Sequence, residues 1–180
     1  MRNVFYFVAL STLLLACCKK DPLGLKDPDD KKPTMPPITT EGKNTFGCYV
    51  NGKLYIPLGG SPPDYAIDAS YYKGTLYIYS NNVETSENIQ LNIYDIVKDT
   101  GTYEIKTDHV FTFFDFGKYS QWINHVEHLF LTDTLHIGQL RLLRHDTVKH
   151  IVSGTFQFTA KMENKDSLIH ITDGRFDIQY

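Results

Sequence analysis

From Thr45 onward apolar residues recur at every second position, the period of a half-buried strand and not the three-and-four spacing of a helix. Residues 45–50 are predicted as a strand and 53–56 as its return, with Asn51-Gly52 as a turn that tolerates positive φ at both positions. The scheme repeats at 65–72 and 75–80 around Lys73-Gly74, and again at 88–96. Further strands are predicted at 102–106, 110–116, 128–132, 137–144 and 151–162. Segments 168–172 and 175–180 close the series, with turns at 164–166 and at Asp173-Gly174. The single helix candidate is 120–128, where Trp122 and Val126 would share a face; at that length a loop or one turn is expected. Many short strands parted by turn signals predict an all-β domain, an antiparallel β-sandwich with a β-barrel as the alternative.

The first 44 residues follow other rules. Arg2 precedes an apolar run from Val4 to Cys18, about 22 Å long as a helix at 1.5 Å per residue. A bilayer core needs about 30 Å, so residues 1–16 read as a signal peptide and not as a permanent span. Leu14-Leu15-Ala16-Cys17 resembles the lipobox of bacterial lipoproteins, in which the cysteine after the small residue is acylated and begins the mature chain. Cys17 is the expected lipidation site and Cys18 the other candidate. Residues 17–44 hold five of the eight prolines amid lysines and aspartates, without aromatics. Such a segment buries too little to offset its ordering entropy, and a lipid-anchored flexible tether is expected. The domain is then 45–180.

Trimming sharpens the charge. The whole chain carries −3, whereas residues 45–180 hold eleven cationic and sixteen acidic side chains, a net of −5. An acidic domain is a poor partner for nucleic acid. Cys48, the domain's own cysteine, reads as a small buried hydrophobe.

Catalytic and metal signals are thin. Ser153 lies in Val-Ser-Gly-Thr, without the glycines of a nucleophile elbow. His125 and His128 would share a face on a helix but point apart on a strand. Arg175 and Asp177 share a strand face, where an ion pair is the ordinary expectation. No catalytic residue, cofactor or metal site is assigned, and an envelope hydrolase remains the less favoured class.

The informative residues are aromatic. Of 24 aromatic side chains, 21 lie beyond residue 44. Aliphatics take one strand parity and tyrosine the other: Leu54/Ile56 against Tyr55, Leu76/Ile78 against Tyr77/Tyr79, Ile89/Leu91/Ile93 against Tyr94. The aliphatic parity is expected in the core, so Tyr55, Tyr77, Tyr79 and Tyr94 are expected on the outer face. Tyrosine suits a half-exposed sheet on structural grounds alone. As a ligand face, it offers rings for stacking on sugars or anchoring a protein partner.

The hairpin Thr45-Phe-Gly-Cys-Tyr-Val-Asn-Gly-Lys53 and the closing segments Val152-Ser-Gly-Thr-Phe-Gln-Phe-Thr-Ala160 and Ile171-Thr-Asp-Gly-Arg-Phe-Asp177, with the lipobox, resemble a family of small Bacteroidota lipoproteins known as a domain of unknown function. The resemblance implies a lipid anchor and a β-rich domain in the cell envelope, at the outer membrane. It transfers no catalytic residue. The expected function is a non-enzymatic, membrane-anchored interaction domain, with a glycan or a protein as partner.

Overall fold

The computed structural model of this chain describes residues 32–59, 65–94, 97, 99–107, 115–163 and 165–180. The expected signal peptide, Cys17, Cys18, most of the expected tether and most of the expected 110–116 strand lie outside them. Among the described residues there are eleven strands and no helix. They are β1 (Thr45–Val50), β2 (Lys53–Tyr55), β3 (Ile67–Tyr72), β4 (Thr75–Asn82), β5 (Glu87–Ile93), β6 (Gly101–Ile105), β7 (Phe116–Ile123), β8 (Val126–Leu131), β9 (Gly138–Asp146), β10 (Ile151–Met162) and β11 (Leu168–Gln179).

One antiparallel sheet runs β2-β1-β11-β10-β8-β7-β5-β4-β3, with β9 and β6 leaving it as a branch from β10. The fork lies on one edge of β10. Residues 151–157 of β10 pair with β9, whereas Lys161 and Met162 pair with Leu131 and Phe130 of β8. Two neighbours on one edge must splay apart, and register shifts at Ser153/Gly154 and Phe156/Phe158 add local bends. The sheet therefore curls strongly into a half-barrel, a form between the expected sandwich and its barrel alternative. Leu76, Ile78, Ile89, Leu91, Ile93, Ile105, Leu140 and Val152 fill the concave side, with Phe46, Phe156, Phe158 and Phe176.

Two local expectations are corrected. Residues 120–128, read as a loop or single turn, form the β7–β8 hairpin. Tyr119 and Phe130 bury opposite each other, and Asn124 and His125 take the turn at φ of 51° and 64°. Trp122 pairs with Glu127 and Ile123 with Val126, so Trp122 and Val126 sit on opposite faces. Asp173-Gly174, read as a turn, lies inside the continuous strand β11. Asp173 is a bulged residue at φ 51°, and the Phe156 ring lies where a Cβ on Gly174 would come within 2.6 Å.

The compact unit starts at Pro33, well before the expected boundary at residue 45. Residues 33–44, placed in the flexible tether by composition, lie as a strap on the outer face of β1, β11 and β9. The cause is Asp177, which is fully buried. Its carboxylate accepts hydrogen bonds from Thr39 Oγ1 at 2.6 Å and from the backbone N–H groups of Glu41 (3.0 Å), Gly42 (2.7 Å) and Lys43 (3.3 Å). A buried carboxylate requires such donors, and three successive N–H groups form an anion-binding concavity. Arg144 donates to the Thr40 carbonyl at 2.7 Å and Arg175 to the Pro36 carbonyl at 3.3 Å. The expected Arg175–Asp177 ion pair is thus replaced by two separate clamps on one strap.

Candidate functional site

The antiparallel ladders of β3, β4, β5, β7 and β8 set residues into rows across the outer face. Ser70, Tyr77, Asn92 and Phe116 are successive partners in one row. Asp68, Tyr79, Gln90, Lys118 and Leu131 form the next. Asn81, Asn88, Ser120 and Leu129 form the third, in which Ser120 is fully buried and donates to Asn88 at 3.0 Å. The cause is simple alternation: in β4 and β5 each outward residue stands between inward Leu76, Ile78, Ile89, Leu91 and Ile93.

Tyr77 and Tyr79 lie half-buried on this face, two residues apart on β4. Tyr94 continues the outward parity of β5 beside them and is 41% exposed. Burial raises the Tyr77 pKa, with Tyr79 and Asp68 adding to the effect, so its hydroxyl stays a neutral donor at physiological pH. Asp68 and Ser70 flank the tyrosines on β3, and Asn88, Gln90 and Asn92 flank them on β5. The amides were legible in the sequence, because Asn88, Gln90 and Asn92 share the parity of Tyr94. At β8 the face runs into a cleft of about 330 Å³ lined by Leu129, Leu131, Met162 and Lys161. The cleft lies where the end of β10 pairs with β8. Lys161 pairs there with Asp166 at 2.9 Å.

Tyr55 does not belong to this surface. It is buried at 3% exposure, edge-on to Phe46, and its hydroxyl meets Ser80 Oγ at 3.2 Å. The strap reverses the parity rule at β2. Ile56 packs on the outer side around Gly47 with Met35 and Pro36, which leaves Tyr55 to point inward. The expectation that groups Tyr55 with the outer tyrosines is therefore corrected.

The interior holds a polar group of its own. Glu87 is buried on β5 and accepts a hydrogen bond from the Tyr119 hydroxyl at 2.8 Å. Burial, and next the bond to Glu87, raises the Tyr119 pKa; burial likewise raises that of Tyr55. Cys48 is fully buried, and burial, followed by nearby Glu87, raises its thiol pKa far above the reactive range. It is a packing residue. Ser153 is likewise fully buried on β10. His125 sits in the β7–β8 turn and His128 on β8, and among the described residues no three His, Cys, Asp or Glu side chains are placed to hold a metal.

No curated protein and no solved structure matches the chain. The earlier resemblance rested on both ends of the domain. The family match instead runs from just before β3 to the carboxylate that pins the strap, leaving out the β1–β2 hairpin. The chain belongs to the family described as Domain of unknown function (DUF6252), which matches residues 65–177.

Proposed function

We propose that this protein is a lipid-anchored component of the cell envelope, held at the outer membrane by acyl chains on Cys17, and that its β domain binds a partner without catalysing a reaction. The observation that carries the binding role is the ordered outer face, where Tyr77, Tyr79 and Tyr94 stand among Asp68, Ser70, Gln90 and Asn92. Aromatic rings give broad apolar contact at little entropic cost, and adjacent amides and hydroxyls fix orientation. The anchor rests on the apolar run that stops at Cys17-Cys18 and on the charged residues after it. Two or three acyl chains hold a soluble domain stably at a membrane, each buried methylene contributing about 0.8 kcal/mol.

The partner class favoured by the rows is a glycan. Sugars present apolar ring faces and a fringe of hydroxyls, which match tyrosines set beside amides and a carboxylate. A protein partner is the alternative, and nucleic acid is disfavoured by the acidic domain. The test compares wild-type protein with Tyr77→Ala/Tyr79→Ala in a glycan array and an envelope pull-down. Loss of glycan binding supports the reading, and equal binding by both forms removes the tyrosine face from it. Separately, Cys17→Ala is expected to release the protein from washed membranes; retention overturns the anchor.

A further inference from the structure

The end of the half-barrel formed by the β4–β5 and β7–β8 turns presents large apolar side chains to solvent. Trp122 is 53% exposed, Ile123 44%, Val126 57%, Val83 40% and Leu58 43%. Backbone hydrogen bonds join them into one rim. Val83 N–H donates to the Leu58 carbonyl, and Trp122 N–H donates to the Ser86 carbonyl of the neighbouring turn. Residues 119–126 contain no Asp, Glu, Lys or Arg. Glu84 and Glu127 lie beside the tip, and Lys118 pairs with Glu127 at 3.4 Å.

The strap begins near the same end. Thr34 and Pro36 share a depression with Ile56, Pro57 and Ile67, and Leu58 continues from there into its bridge with Asn82. Fifteen residues lie between Cys17 and Pro33, a reach of at most about 55 Å when fully extended. An acylated Cys17 therefore keeps this end within tether reach of the lipid, at most about 55 Å.

We infer that this rim is a membrane-contact edge, with Trp122, Ile123 and Val126 seated at the headgroup–acyl boundary of a largely zwitterionic bilayer. Tryptophan favours that boundary because its ring is apolar and its N–H requires a polar partner. A charge-free hairpin tip enters it without desolvating an ion, while Glu84 and Glu127 stay in the hydrated headgroup layer. The orientation rests on the lipid-anchor reading; the apolar rim does not. Seated this way, the protein would hold one end at the lipid and leave the tyrosine rows facing sideways.

Trp122 is the chain's single tryptophan, so its fluorescence reports on the rim alone. The full chain is mixed with phosphatidylcholine/phosphatidylethanolamine vesicles carrying lipids brominated near the glycerol end. The expected result is a blue-shifted emission, several-fold protection from acrylamide and strong quenching by the brominated lipid. Ile123→Asn/Val126→Asn should abolish all three while still floating with the vesicles through its acyl chains; Ile123→Leu/Val126→Leu should retain them. Wild-type protein that floats yet leaves Trp122 fully open to acrylamide overturns the rim and spares the anchor. Protein that neither floats nor carries lipid overturns the anchor, and excess vesicles added to that soluble chain decide the rim: quenching supports it, none overturns it. A blue shift that grows with protein concentration without lipid assigns the rim to a second copy and overturns the proposal.

Discussion

The two outer faces of this sheet have opposite fates. Over β1, β11 and β9 the outer side is sealed by residues 33–44, which converge on buried Asp177 and are clamped by Arg144 and Arg175. Over β3, β4, β5 and β7 the outer side carries rows of tyrosine, amide and hydroxyl groups with no strap across them among the described residues. The same alternation yields both, but on the covered side the strap packs an outward aliphatic, as at Ile56 with Met35 and Pro36. Side-chain parity predicts which residues share a face. What covers that face decides whether it is core or surface.

The comparison breaks most readily at the pin. Asp177→Ala removes an acceptor of four hydrogen bonds and should cost about 3 kcal/mol, since bonds to a buried charge are worth roughly 1.5–3 kcal/mol each and the freed strap recovers some in water. A urea midpoint shift without a change of slope checks the energy, and new protease cleavage between residues 33 and 44 checks the place. Unchanged protection of that segment would show that the cover does not depend on the pin.

The same carboxylate gives the covered face a pH signature. Burial acts to raise the Asp177 pKa, yet the bonds from Thr39, Glu41, Gly42 and Lys43 together hold it below the ordinary carboxylate value. A depressed folded pKa contributes stability that is complete above the unfolded value and is lost as pH falls through the folded one. Strap protection should therefore be constant from neutral pH down to about 4 and decline below it. Asp177→Asn should flatten that acid limb, measured by proteolysis or hydrogen exchange against pH.

A smaller loss is expected behind the open face. Tyr119→Phe removes the 2.8 Å bond to Glu87 and leaves a buried acceptor short of its donor, a cost of about 1–2 kcal/mol. Chemical denaturation measures it, and glycan binding should persist in the folded fraction. The smallest stability change belongs to Tyr77→Ala/Tyr79→Ala, about 1 kcal/mol or less from lost cross-strand contact. Its large effect should appear in partner binding instead. A big drop in melting temperature with unaltered binding would make those tyrosines structural.

How much of this was written in the chain follows from how local each signal is. Asn51-Gly52 and Lys73-Gly74 specify their hairpins from residues that touch, and both turns form with positive φ throughout. The same is true of the 151–162 strand, which alternation marked to the residue. The β7–β8 hairpin was hidden because Asn124-His125 is a poor turn signal and Trp122 with Val126 imitates a helical stripe. The strap was illegible for a different reason. Proline and lysine composition reports what residues 33–44 can bury by themselves, and Asp177 lies 134 positions beyond Lys43. Tyr55 was misplaced as a consequence, since nothing near it in sequence announces a cover over Ile56. The tyrosine and amide rows were legible because they need only period two.

The pairing of β1 and the strap with β11 also sets an order of events in the life of the chain. Thr45 partners Asp177, and the segment before it closes on that same carboxylate. Neither contact exists until residue 177 has left the ribosome, so the first-made part of the fold is the last to be completed. Contacts of such long sequence separation slow folding, because loop closure comes before any gain. If the chain is exported as proposed above, this delay is useful. The unfinished polypeptide cannot lock its ends together while synthesis is still under way.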